Sequence, residues 1–199
     1  MRIAEEHLGL ESYMTRYAAY GGSFNPVHYG HMSMVERAVA LGYEVIVVPA
    51  YRHAFGKQSA PFAHRVRMCE LALQARELQQ HARVCAIERF LAPQGNDNPV
   101  YTYDVLCALC NTLQAAPCLL VGPDIVEEWE RWYHHEEIDR EFGRLCLPMT
   151  RAIRSTEIRQ RLHAGASPGS LHEDVPEPVC AYIAAHGLYR ATDGFCQKP

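Results

Sequence analysis

The chain has 199 residues, enough for one domain with a full-sized core. Apolar residues make up 48% and charged residues 21%, with a formal net charge of -4, which argues against non-specific DNA or RNA binding and leaves room for a local basic pocket. No apolar run approaches a membrane span, and the charged start MRIAEEHLGLESYM lacks the apolar core of a signal peptide, so a cytoplasmic protein with no membrane partner is expected.

In chain order, residues 1–14 read as an extension outside the sheet, 15–190 as a single domain and 191–199 as a tail. Residues 16–20 form a short strand, followed by GGSFNPVHYGH from Gly21 to His31 and a helix over 30–41. The β-branched run 44–49 is the mark of a strand buried on both faces. Helical spacing returns over 61–79, a strand over 83–87, a helix over 102–113 and a second buried strand over 118–121, stopped by Gly122 and Pro123. Helices are expected to start at 124–129 and to span 136–142, 156–162 and 179–186, with a last strand at 145–148 and a turn-rich loop at 165–178. Strands alternating with helices imply right-handed βαβ units and a doubly wound parallel α/β sheet. Ligands in such sheets sit beyond the carboxyl ends of the strands, here the loops 21–30, 49–61, 88–101, 122–135 and 149–155.

The eight cysteines are scattered, most of them within apolar runs, as buried reduced thiols are. Cys107 and Cys110 have CxxC spacing but no second pair at a matching distance, so packing within the helix is the preferred reading and no protein metal ligand is assigned.

The stretch 21–31 is the informative one. Its glycines let backbone amides approach an anion, and the helix that follows adds its positive end, which together make a phosphate site. It is neither a Walker A loop nor a GxGxxG fingerprint. His28 and His31 add imidazoles able to donate hydrogen bonds to charge that grows in a transition state. Both are placed in the loop, so replacing either should leave folding nearly unaffected. After the last strand, Ser155 or Thr156 can cap a helix whose free amides hold phosphate, and Arg159 returns to the same side one turn later.

GGSFNPVHYGH resembles, at every position, the GG(S/T)F(D/N)PxHxGH signature of the HxGH nucleotidyltransferase superfamily. IRSTEIR, residues 153–159, is similar to its ISSTxIR motif, departing at Arg154 where Ser is commoner. Within that superfamily, Gly122, Pro123 and Asp124, followed by Trp132 and Tyr133, resemble the GxD…WY pattern of the nicotinate-nucleotide adenylyltransferases. Residues 101–106 resemble that family's YTxDTL stretch, and residues 51–68, with His53, Lys57, Pro61, Arg65 and Met68, its basic loop and following helix. The likeness covers residues 16–189.

The resemblance implies adenylyl transfer from ATP to nicotinate mononucleotide, with Mg2+ bridging ATP oxygens. Gly21, Gly22, Ser23, Phe24 and Gly122 would lie against ATP, and Ser23 and Lys57 would hold the mononucleotide phosphate. His28 and His31, with Lys57, would be catalytic, the histidines on the ATP phosphates. Asp124 would accept hydrogen bonds from the ribose, and Ser155, Thr156 and Arg159 would hold the outgoing pyrophosphate. Trp132 offers an indole face to the pyridine ring, and Thr102 and the Tyr133 backbone offer donors to its carboxylate. Arg65 is expected to secure its own helix and stays outside the site. Three rivals remain open: the same transfer to nicotinamide mononucleotide, a cytidylyl or phosphopantetheine adenylyl transfer, and a nucleotide-binding regulatory protein. A homo-oligomer also stays open.

Overall fold

A computed structural model describes residues 15–52, 59–92 and 99–190. The expected extension at 1–14, the tail at 191–199, His53 and Lys57 lie outside them. Five strands form one sheet: β1 (Arg16–Gly22), β2 (Tyr43–Pro49), β3 (Ala82–Val84), β4 (Cys118–Val121) and β5 (Arg144–Cys146). Their order is β3-β2-β1-β4-β5 and every pairing is parallel. The helices are α1 (Tyr29–Ala40), α2 (Phe62–Ala75), α3 (Glu88–Leu91), α4 (Thr102–Leu113), α5 (Pro123–Val126), α6 (His135–Glu141), α7 (Ser155–His163) and α8 (Glu177–His186). This is the expected doubly wound α/β architecture.

The strand sequences explain the layering. Alternate side chains of β2 enter opposite cores: Val45 and Val47 join one apolar cluster with α1, α2 and α8, while Ile46 and Val48 join another with α4 and α6. Leu120 of β4 belongs to the first cluster, and Leu119 and Val121 to the second. A strand buried on both faces needs apolar residues at consecutive positions, which is why these runs do not alternate with polar ones.

One feature of the register opens the site. β1 pairs with β2 along its whole length, from Arg16 with Tyr43 to Gly22 with Pro49. On its other side it pairs with β4 only at Ala18 with Cys118 and Ala19 with Leu119. Past Ala19 the two strands part, and a crevice forms at the carboxyl ends where the winding reverses direction.

Several boundaries differ from the sequence reading. β3 stops at Val84, although Cys85 still donates its N–H to the Val47 carbonyl at 2.8 Å, and the expected loop at 88–101 begins with α3. α2 ends at Ala75 because Glu77 turns left-handed, with φ of 54°. The helix expected from 124 is split into α5 and a 3-10 turn at Trp129–Arg131. The loop at 165–178 carries a 3-10 turn at Pro168–Leu171 that buries Leu171.

Candidate active site

The two histidines of the glycine-rich loop do more than face a ligand. His28 is the N-cap of α1 and His31 its third residue, and they form a reciprocal capping box. His28 Nδ1 accepts from the His31 N–H at 3.3 Å, and His31 Nδ1 accepts from the His28 N–H at 3.2 Å. A ring that accepts at Nδ1 carries its proton at Nε2, so each imidazole is fixed as an Nε2–H donor. The rings stack with centroids 3.6 Å apart. Burial lowers the His28 pKa to about 4 against the opposing charge of Asp174, and burial with the neighbouring His28 holds His31 well below its ordinary value. The pair is therefore neutral at physiological pH.

This corrects two expectations. The histidines are not loop ornaments whose loss spares the fold, because they finish a helix. Nor is the start of α1 an open cradle of amides: the His28 and His31 N–H groups go to imidazoles and the Tyr29 N–H goes to the Asp174 carbonyl at 2.8 Å. What this end presents to an anion is imidazole Nε2–H together with the Gly30 amide. Gly30 is required for a different reason, since a Cβ there would meet the Arg151 carbonyl oxygen and the His28 ring at 3.0 Å.

The loop between β1 and α1 is clamped from several elements. Arg65 of α2 is 2% exposed and does not secure its own helix. It donates to carbonyls of Ala60 at 2.9 Å, Ser23 at 2.8 Å and Tyr51 at 3.4 Å. Buried Asn25 accepts at Oδ1 from the Ala60 N–H at 3.1 Å and the Tyr189 hydroxyl at 2.9 Å. Ser155 does not cap α7: the N-cap is Arg154 and no side chain caps that helix. Its hydroxyl donates to the Pro26 carbonyl at 2.9 Å, Arg159 donates to the Asn25 carbonyl at 2.7 Å, and the second arginine arm donates to the Thr156 hydroxyl at 3.3 Å. The IRSTEIR segment is thus stitched to the histidine loop with its helix amides free of side-chain caps.

The crevice itself is a cavity of about 450 Å3. It brings together Gly21, Gly22, Ser23, His31, Thr102, Gly122 and Trp132. Gly21 has open space where a Cβ would stand, so a ligand can approach its backbone. Thr102 opens α4, which has no side-chain cap, so its first amides are available to an anion. Half-buried Trp132 lies 5.5 Å, centroid to centroid, from Trp129, the buried indole that donates to Asp139 at 2.9 Å.

Other expected residues fall elsewhere. His28 is 2% exposed and stacks on His31. Phe24 is 1% exposed, and its ring packs edge-on against Tyr20 and His31 at 5.5 and 5.0 Å, so its side chain backs His31 from the core. The Tyr133 ring points outward, half exposed, and packs on Tyr101 at 4.5 Å. Asp124 is the second residue of α5, two positions after Gly122, which lines the cavity. A larger polar cleft of about 940 Å3 is lined from the opposite face of α1 by Tyr29, Ser33 and Glu36 and contains none of the expected residues.

Sequence reading missed Glu88. It lines the cavity, is 8% exposed and accepts the Tyr51 N–H at 2.7 Å. Burial raises its pKa to about 7, against that hydrogen bond and the charge of Arg65. A lone acid in a stretch that reads as loop gives no sign of being buried. Among the described residues, no three His, Cys, Asp or Glu side chains converge as metal ligands, and no helix is long and apolar enough to cross a membrane.

Comparison with known proteins agrees with this geometry. The cytidylyltransferase-like family model matches residues 19–161. A protein named "Probable nicotinate-nucleotide adenylyltransferase" from Anaeromyxobacter dehalogenans strain 2CP-C is 37% identical over 188 residues, covering 87% of this chain and 96% of its own. One of the same name from Myxococcus xanthus is 33% identical over 187 residues, covering 86% and 93%. Among solved structures, Plasmodium falciparum nicotinic acid mononucleotide adenylyltransferase complexed with NaAD superimposes with a TM-score of 0.69 at 17% identity, covering 88% of this chain and 98% of that one. A Vibrio parahaemolyticus structure assigned to the nicotinate-nucleotide adenylyltransferases gives 0.73 at 23% identity, covering 90% and 98%. The loop of paired histidines, the stitched IRSTEIR segment and these relatives lead to one assignment: this chain belongs to the nicotinate-nucleotide adenylyltransferase family.

Proposed function

We infer that the protein transfers the adenylyl group of ATP to nicotinate mononucleotide, giving nicotinate adenine dinucleotide and pyrophosphate. The observation that carries this reading is the pair of Nε2–H imidazoles at the start of α1, one of them lining the same cavity as Trp132 and the amino end of α4. A phosphate oxygen of the mononucleotide attacks the α-phosphorus of ATP. The bond from that phosphorus to the bridging oxygen breaks, and its electron pair leaves with pyrophosphate. The nucleophile is already anionic, so no general base or covalent intermediate is needed, and catalysis is positioning plus charge stabilisation.

In this reading neutral His28 and His31 donate to the ATP phosphates as charge builds on the transferring group. Their capping box keeps both donors oriented before substrate arrives. Gly21 and Gly22 admit the nucleotides against the β1 backbone, Ser23 and Lys57 hold the mononucleotide phosphate, and Asp124 meets the ribose. The free amides of α7, with Thr156 and Arg159, receive pyrophosphate. Trp132 stacks on the pyridine ring, while the first amides of α4 and the Tyr133 backbone face its carboxylate.

The family generally uses a divalent metal with ATP. Mg2+ would enter with ATP and keep most of its water, and the chemistry it would supply is neutralisation of charge on the phosphates. The test is product identification. Incubated with ATP, Mg2+ and nicotinate mononucleotide, the protein should yield the acid dinucleotide and one pyrophosphate per dinucleotide. ATP consumption without a dinucleotide would defeat the reading.

A further inference from the structure

We propose that Tyr101 is a positioning residue: its ring, packed on Tyr133, holds the turn that carries Trp132 against the amino end of α4 and so sets the affinity for the pyridine mononucleotide. The inference rests on the function above. Thr102 and Trp132 both line the 450 Å3 cavity. Their chain neighbours, which do not line it, pair with one another. Tyr101 meets Tyr133 with ring centroids 4.5 Å apart, and Tyr103 meets His134 at 4.7 Å, both within the range of attractive aromatic pairs. Tyr133 and His134 also meet edge-on at 4.0 Å. The four rings form one continuous row between the start of α4 and the turn at 132–135.

The turn needs that support. Trp132 donates its N–H to the Trp129 carbonyl at 2.9 Å, and its own carbonyl accepts the His135 N–H at 3.2 Å. Inside this turn His134 is left-handed, with φ of 57°, a conformation that a non-glycine residue keeps where its surroundings hold it. Among the described residues, no hydrogen bond joins residues 129–135 directly to residues 99–103, so ring packing holds these two walls together. One end of the row is tied down, since the Tyr103 hydroxyl donates to Glu141 Oε2 at 3.0 Å and its ring meets Phe142 at 6.1 Å. At the other end Tyr101 and Tyr133 are 44% and 52% exposed. Truncating Tyr101 therefore opens no void in the core, and what it removes is the grip on Tyr133.

That grip bears on binding. An indole that stacks on an incoming ring gains affinity from being held beforehand, because ordering it then costs nothing at the binding step. The same contact keeps the Tyr133 backbone beside the first amides of α4. Neither effect reaches the ATP phosphates at the α1 end.

Wild type, Tyr101→Ala and Tyr101→Phe are compared in two measurements. The first is KM for nicotinate mononucleotide and KM for ATP, with Mg2+ and the other substrate saturating. Tyr101→Ala should raise the mononucleotide KM at least about threefold, on the scale of one aromatic pair, with KM for ATP and kcat within about twofold of wild type. Tyr101→Phe keeps the ring and should match wild type. The second is acrylamide quenching of tryptophan fluorescence in the free protein. The chain has two tryptophans, and Trp129 is 5% exposed, so the added quenching expected in Tyr101→Ala reports Trp132. An unchanged mononucleotide KM in Tyr101→Ala overturns the proposal. So does an equal rise in both KM values, which would mean general loosening, and so does a Tyr101→Phe variant as impaired as Tyr101→Ala, which would assign the effect to the hydroxyl. A wild type that turns over neither mononucleotide refutes the function itself, whereas an active wild type with unchanged quenching in Tyr101→Ala refutes the positioning role alone.

Discussion

The amino ends of α1 and α4 contribute His31 and Thr102 to one cavity, yet they are finished in opposite ways. At α1 the protein satisfies three amides itself: two imidazoles cap each other's backbone and the Asp174 carbonyl takes the Tyr29 N–H. At α4 no side chain caps the helix, and the aromatics beside it, Tyr101 and Tyr133, are about half exposed. The α1 end is rigid before any ligand arrives, and its donors are side chains fixed in one tautomer. The α4 end leaves backbone donors for the ligand to satisfy. The difference fits the two tasks of the proposed reaction, a transition state that needs preset donors and a ground-state ring that needs recognition.

The largest effects should come from breaking the clamp behind the α1 end. Arg65→Met strands buried carbonyls at Ser23 and Ala60 and leaves Glu88 without its cation. Unfolding in urea should show a loss of about 3 to 5 kcal/mol, as for other buried charges deprived of a partner. A loss below 1 kcal/mol would mean the clamp is incidental.

Glu88 gives a pH signature with a definite sign. Its pKa is about 7 in the fold and near 4.5 when unfolded, so its contribution is present below 4.5 and is lost as pH rises through 7. Glu88→Gln should remove that decline, gaining about 3 kcal/mol relative to wild type between the two ends of the range. Parallel stability curves for the two proteins would contradict this environment.

His28→Ala or His31→Ala should lower kcat at least about a hundredfold at saturating ATP, the scale of one lost oxyanion donor. Each should also cost about 1 kcal/mol of stability, because each removes half of a helix cap. A variant that loses only stability would reduce the α1 end to architecture. On the open side the effect is smaller: Trp132→Ala should raise KM for the mononucleotide about 2- to 10-fold with little change in kcat, since ring stacking is worth about 0.5–1.5 kcal/mol.

What sequence revealed and what it hid divide along the range of the interactions. The runs at 44–49 and 118–121 announce buried parallel strands because their periodicity is local. The glycine-rich string announces the site because its members are neighbours. The capping role of His28 and His31 was hidden because imidazole is not among the usual N-cap side chains. Arg65 read as a helix residue because its carbonyl partner at Ser23 lies 42 positions away, and Glu88 read as loop because its partner at Tyr51 lies 37 away. α3, at four residues, is too short to carry a periodic signal.

The most direct test is pyrophosphate release from ATP and Mg2+ with the acid and amide mononucleotides offered side by side. The account predicts release with the acid at a kcat/KM well above that for the amide. Binding of ATP without release on either mononucleotide would contradict it.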